Sequence, residues 1–130
     1  KLLTQIIMEF NKKLDKIVEE ITDLLKSKNQ SYGNSALKPS NIFSEADPID
    51  SLCARIDDKL MRIKNKGIND KTEDTIHDLI GYLFLLLMAM EQVKEKEYNM
   101  YKETIEQGGA VSMSGTPVST MEHLDTYFKK

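Results

Sequence analysis

The chain has 130 residues, with 18 basic and 21 acidic side chains and a net charge of −3. That length predicts one domain, and the acidic balance (pI near 5.4) excludes a general nucleic-acid binder, which would be basic overall. A single cysteine, Cys53, excludes an internal disulfide framework and a Cys-cluster zinc site, while the absence of tryptophan and the scarcity of proline (3) and glycine (6) favour long helices over an all-β fold.

In the first segment Leu3, Ile7, Phe10, Leu14, Ile17, Ile21 and Leu24 recur at alternating steps of four and three. This heptad seam predicts a helix over about residues 2–27, ~39 Å long at ~1.5 Å per residue, that needs a partner helix from this chain or another. The opening stretch KLLTQIIMEFNKKLDKIVEE carries charges throughout and lacks the continuous apolar run of a signal peptide. The longest apolar run, Tyr82 to Met90, falls short of the ~20 residues that span a bilayer, so the expectation is a soluble, cytoplasmic protein with no membrane partner.

KSKNQSYGNSALKPSNIFSEADP, rich in Asn, Ser, Gly and Pro, reads as a loop of about 20 residues, with Tyr32 at a turn and Ile42 and Phe43 tucked into the core. Loops of that length are often functional. Asp47 followed by Pro48 is a cap and first-turn pair. It starts a second helix over about 48–65, with Ile49, Leu52, Cys53, Ile56, Leu60 and Ile63 on one stripe and Gly67 closing it. Cys53 on that stripe reads as a small core residue. A third helix is expected from near Lys71, capped by Asn69 or Asp70, to about Glu106. It is apolar nearly all round from Leu79 to Met90, so that portion should be buried on several sides. QGGAVSMSGTPVST then reads as a flexible linker and STMEHLDTYFKK as a short helix with Met121, Leu124 and Phe128 on its docking face. The expected organisation is therefore a helical bundle domain over 1–106 and a linker with a terminal helix over 107–130. The fold class is all-α, a long-helix bundle completed by homo-oligomerisation.

Two stretches carry candidate chemistry. In RIDDKLMRI, Arg55, Lys59 and Arg62, with Lys66 beyond, share a narrow stripe at the border between core and solvent. Asp58 stands beside it and Asp57 at the opposite border. Such a stripe is a solvated face laced by i,i+3 and i,i+4 ion pairs, or an anion site in which arginines and lysine fork onto phosphate oxygens. In EDTIHDLIGYLFLL, Asp74 and Asp78 lie one helical turn apart, and a carboxylate at the edge of an apolar section is costly unless paired. Asp78 either pairs with Arg55, Lys59 or Arg62 across the helix interface, or shares Mg²⁺ with Asp74, since that ion prefers oxygen ligands and completes its shell with water and phosphate. His77 has no HxxxH or HExxH context and reads as structural. No GxSxG, GxGxxG or P-loop pattern is present. A short connection would make helices two and three antiparallel neighbours. Arg55, Lys59, Arg62, Asp74 and Asp78 are then expected to converge in one pocket between them, with the Tyr32 loop closing over it.

KNQSYGNSA, RIDDKLMRIKN and EDTIHDLIGYLFLL together resemble the nucleotide modification associated domain family (the first family of that name), over about residues 26–90. Its marks here are Tyr32-Gly33, the Arg55-to-Arg62 block, and Glu73, Asp74, Asp78 with Tyr82. The resemblance implies a small helical protein of the kind common in phages and prophages, with a role toward nucleotides. EDTIHDLIGYLFLLL is also distantly similar to the second metal-binding helix of all-α NTP pyrophosphohydrolases of the MazG type, in which an ExxE and an ExxD hold Mg²⁺ against a triphosphate. The sequence departs from that pattern. Thr75 stands where the ExxD glutamate belongs, and helix two offers Asp57 and Asp58 among cations in place of an ExxE. Exchanging carboxylates for Arg and Lys favours holding phosphate directly. Three readings follow: a phage-type protein that binds or sequesters a small nucleotide or nucleotide-derived signal; a Mg²⁺-dependent nucleoside triphosphate pyrophosphohydrolase; and a purely structural helical assembly. The candidate ligand residues are Tyr32, Arg55, Asp58, Lys59, Arg62, Asp74 and Asp78, with Asp74 and Asp78 as the metal pair.

Overall fold

A computed structural model describes residues 1–42 and 44–108. The expected linker and terminal helix, from residue 109 on, and the expected burial of Phe43 lie outside the described residues. Within them the protein is all-helical, with α1 (Leu2–Tyr32), α2 (Pro48–Lys66) and α3 (Thr75–Glu106) and no strand. Among the described residues two compact units are distinguished, residues 1–86 and residues from 87 on; every candidate site residue belongs to the first.

α1 runs five residues beyond its expected end. Asn, Ser and Gln in KSKNQ keep the i→i−4 ladder intact, and the helix stops only where a positive φ breaks it. Gly33 takes the left-handed conformation (φ 60°), and its N–H donates to the Asn29 carbonyl. The Asn34 N–H reaches the same carbonyl at 3.2 Å, and Leu37 and Lys38 then donate to the Asn34 carbonyl, so the start of the connection is an ordered turn. Ile42 does not tuck in: the backbone turns at Asn41 (φ 50°) and leaves Ile42 exposed.

α2 has the expected bounds to within a residue. The Asp47 carboxylate accepts from the Asp50 N–H at 2.8 Å, Pro48 occupies the first turn, and Gly67 closes the helix by donating to the Ile63 carbonyl; a cap of this kind contributes about 1 kcal/mol. α3 begins four residues later than Lys71, and neither Asn69 nor Asp70 caps it. The Asp70 carboxylate instead accepts from the backbone N–H (2.9 Å) and hydroxyl (2.6 Å) of Thr72, an Asx turn that takes these residues out of the helix. Asp74 is the cap: its carbonyl accepts from the Asp78 N–H at 3.0 Å and its carboxylate from the His77 N–H at 3.4 Å.

In the first unit the core is small. Among the described residues Ile21, Ile49 and Leu52 are its buried apolar side chains, and Thr75 is buried as well. α1 and α3 approach closely where Gly81 leaves room: a Cβ there would stand 3.2 Å from the Leu25 side chain. The α2 stripe is buried at Ile49 and Leu52 but reaches solvent at Leu60. Leu83 and Phe84 on α3 are exposed, against the expectation of burial on several sides. With so few residues buried among those described, this part of α3 is left uncovered.

In the second unit, residues 87–106 continue α3 with Ala89 buried and Leu87, Met88, Tyr98, Met100 and Ile105 exposed. By length and composition alone α3 is apolar enough to cross a membrane, with a mean hydropathy of 1.4 over 18 residues. The same composition suits a helix covered by other protein.

Candidate functional site

The site is built on an ion-pair lattice. Lys59 points from α2 toward the start of α3, where its ammonium donates to Glu73 and, at 3.1 Å, to Asp78. Asp78 takes a second cation from α1, since Lys28 donates to its other oxygen at 3.2 Å. Three helices thus meet on one carboxylate. Burial pushes the Asp78 carboxyl up, but the hydrogen bonds from Lys59 and Lys28 outweigh it and hold the group below the usual carboxylate range. Lys59 is the mirror case: burial pulls its ammonium down, and the bonds to Glu73 and Asp78 carry it above the ordinary lysine value.

Arg62 is turned away from this carboxylate. Its Nε donates to Asp70 at 2.7 Å and lies 2.8 Å from Glu73, and its Nη2 donates to the Thr72 hydroxyl at 2.6 Å. The guanidinium therefore staples the 67–74 connection to α2. Within the staple, the hydroxyl and N–H of Thr72, then Arg62, hold the Asp70 carboxyl at about 2. A carboxyl depressed in the folded state binds fewer protons than in the unfolded chain. Its stabilisation is thus complete above the unfolded value of ~3.9 and is lost as pH falls from there toward 2. Urea midpoints measured from pH 6 to pH 2 are expected to fall more steeply for the parent chain than for Asp70→Asn, which lacks this titration; parallel curves would show the staple contributes nothing.

A cavity of about 250 Å³ lies between α1 and the first turns of α3, closed by the turn after α1 and by Arg55 from α2. Ile21, Leu24, Leu25 and Leu85 give it an apolar floor; Lys28, Asn29, Tyr32, Arg55, His77 and Asp78 supply its polar and aromatic edge. The Arg55 guanidinium carbon stands 5.9 Å from the centre of the Tyr82 ring, within cation–π range. Lys28 pairs with Asp78, whereas Arg55, the other basic side chain of lysine or arginine type lining the cavity, has no carboxylate partner among the described residues.

The expected convergence of five residues between α2 and α3 is therefore corrected. Tyr32, Arg55 and Asp78 line one cavity, which opens between α1 and α3, and Lys59 stands directly behind Asp78. Arg62 is drawn off by the 67–74 connection, Asp74 caps α3 against His77, and Asp58 is exposed on α2 outside the cavity. Lys28, Asn29, His77 and Tyr82 border the cavity without having been singled out as ligand residues. A signal existed for the first two, because the α1 stripe continues past Leu25 through Lys28 and Asn29 to Tyr32 at steps of three and four.

The residues also fail to fit a Mg²⁺ site. Asp78 is taken up by two lysines and Asp74 by the helix cap and His77. Among the described residues no group of three or more His, Cys, Asp or Glu is arranged to hold a metal ion. Cys53 is half-buried, and burial followed by Asp50, Asp57 and Asp47 pushes its thiol up, which leaves it a poor nucleophile.

Comparison of the chain with protein-family models, curated proteins and solved structures returns no match.

Proposed function

We propose that this protein binds a small phosphate-bearing nucleotide, or a nucleotide-derived signal, in the cavity between α1 and α3. The observation that carries the reading is Arg55: a guanidinium at the cavity edge, stacked toward Tyr82 and with no carboxylate partner among the described residues. A planar fork of donors suits phosphate oxygens, while Tyr32 and Tyr82 offer faces on which a base can stack. At about 250 Å³ the cavity is slightly below the ~300–1,000 Å³ of drug-sized ligand sites, so it suits one nucleotide with part of the ligand in solvent. The likeness of Tyr32-Gly33, the Arg55 block, Asp78 and Tyr82 to the nucleotide modification associated domain family supports the same reading. On it, the protein acts in a bacterial cytoplasm as a phage-type factor that holds a nucleotide away from other proteins.

The test is direct. The purified chain is denatured and any released small molecule identified by mass spectrometry, and binding is then titrated by calorimetry with and without EDTA. The expected result is a retained nucleotide whose affinity EDTA leaves unchanged. Pyrophosphate release from NTPs or dNTPs that needs Mg²⁺ and disappears in Asp78→Asn would replace this reading with the MazG-type hydrolase.

A further inference from the structure

The seam of α1 changes character along its length. At Ile21 it is buried within its own chain (2% exposed), yet toward the N-terminus the same row of positions is open, with Leu3 at 70%, Phe10 at 64% and Leu14 at 48%. We infer that this open half of α1 is the contact face for a second copy of the chain. The alternating steps of four and three are the spacing by which one helix meshes with another, and an identical seam satisfies it. At roughly 100 Å² of free surface apiece, the eight apolar residues on this face from Leu2 to Val18 (Met8 lies off it) leave about 800 Å² uncovered per chain, the share each partner gives a standard interface. The flanks argue for protein over lipid. Residues 1–20 carry four lysines and four carboxylates, and so lack the excess of basic residues with which amphipathic helices hold to anionic membranes. A second copy also extends, past Ile21, a core that is small among the described residues.

Light scattering of the whole chain from 1 to 100 µM is expected to give twice the 14.9 kDa chain mass, and Phe10→Glu with Leu14→Glu is expected to reduce it to one chain with helical circular dichroism retained. In a Cys53→Ser background, a thiol introduced by Ile7→Cys is expected to be alkylated at least tenfold more slowly than one introduced by Lys12→Cys on the opposite face. A single-chain mass at 100 µM would overturn the inference. So would a dimer indifferent to the glutamates, equal alkylation of the two thiols, or a monomer that sediments with phosphatidylcholine–phosphatidylserine vesicles. None of these readouts depends on nucleotide binding.

Discussion

Replacing Lys59 by methionine is expected to destabilise the folded chain by about 2 kcal/mol, read as a shift in the urea midpoint at constant slope. Methionine keeps most of the side-chain volume, so the loss is chiefly electrostatic. Lys59 is 13% exposed and lies between Glu73 and Asp78. Removing one partner of a buried ion pair costs ~3–5 kcal/mol because the other is left charged and dry. Here the cost is smaller. Asp78 retains Lys28 and Glu73 retains Arg62, and both of those cations are partly solvated. A change below ~0.5 kcal/mol would mean that the lattice is screened like an ordinary surface network.

Arg55→Ala is expected to have the opposite profile: nucleotide affinity lower by tenfold or more, with stability within about 0.5 kcal/mol of the parent. A charge-assisted hydrogen bond contributes ~1.5–3 kcal/mol, and the guanidinium at Arg55 has no carboxylate to lose among the described residues. Arg62→Ala serves as the contrast. It releases the staple on Asp70, Thr72 and Glu73, so it is expected to lower stability and leave affinity near that of the parent. Calorimetric titration of the two variants side by side decides the matter. Equal losses of affinity would show that Arg55 is not the phosphate anchor.

The contrast between these two arginines also shows what the sequence can and cannot disclose. On a helical wheel Arg55 and Arg62 share one stripe, and nothing in their spacing separates them. They are separated by a residue on another segment, Asp70, whose turn with Thr72 gathers Arg62 and delays α3 by four residues. Partners brought together by a connection are invisible to periodicity. α2, by contrast, was legible almost to the residue, because Asp47-Pro48 and Gly67 are local signals that act on the backbone themselves. The end of α1 was missed because polar composition does not stop a helix, whereas a positive φ does. Of the residues that line the cavity, Tyr32, Arg55 and Asp78 are among those the sequence singles out. The placement of the cavity against α1 could not, since it depends on how closely α1 and α3 approach at Gly81.

That approach has a further consequence. The width of the cavity is set where a side chain is missing, so position 81 works as an adjustable spacer. One added methyl presses on the flexible end of Leu25, which can move by the few tenths of an ångström required. A branched side chain at the same place must part the two helices or fill the cavity they frame. On the proposed reading, substitution at this single uncharged site thereby grades how large a ligand the cavity takes.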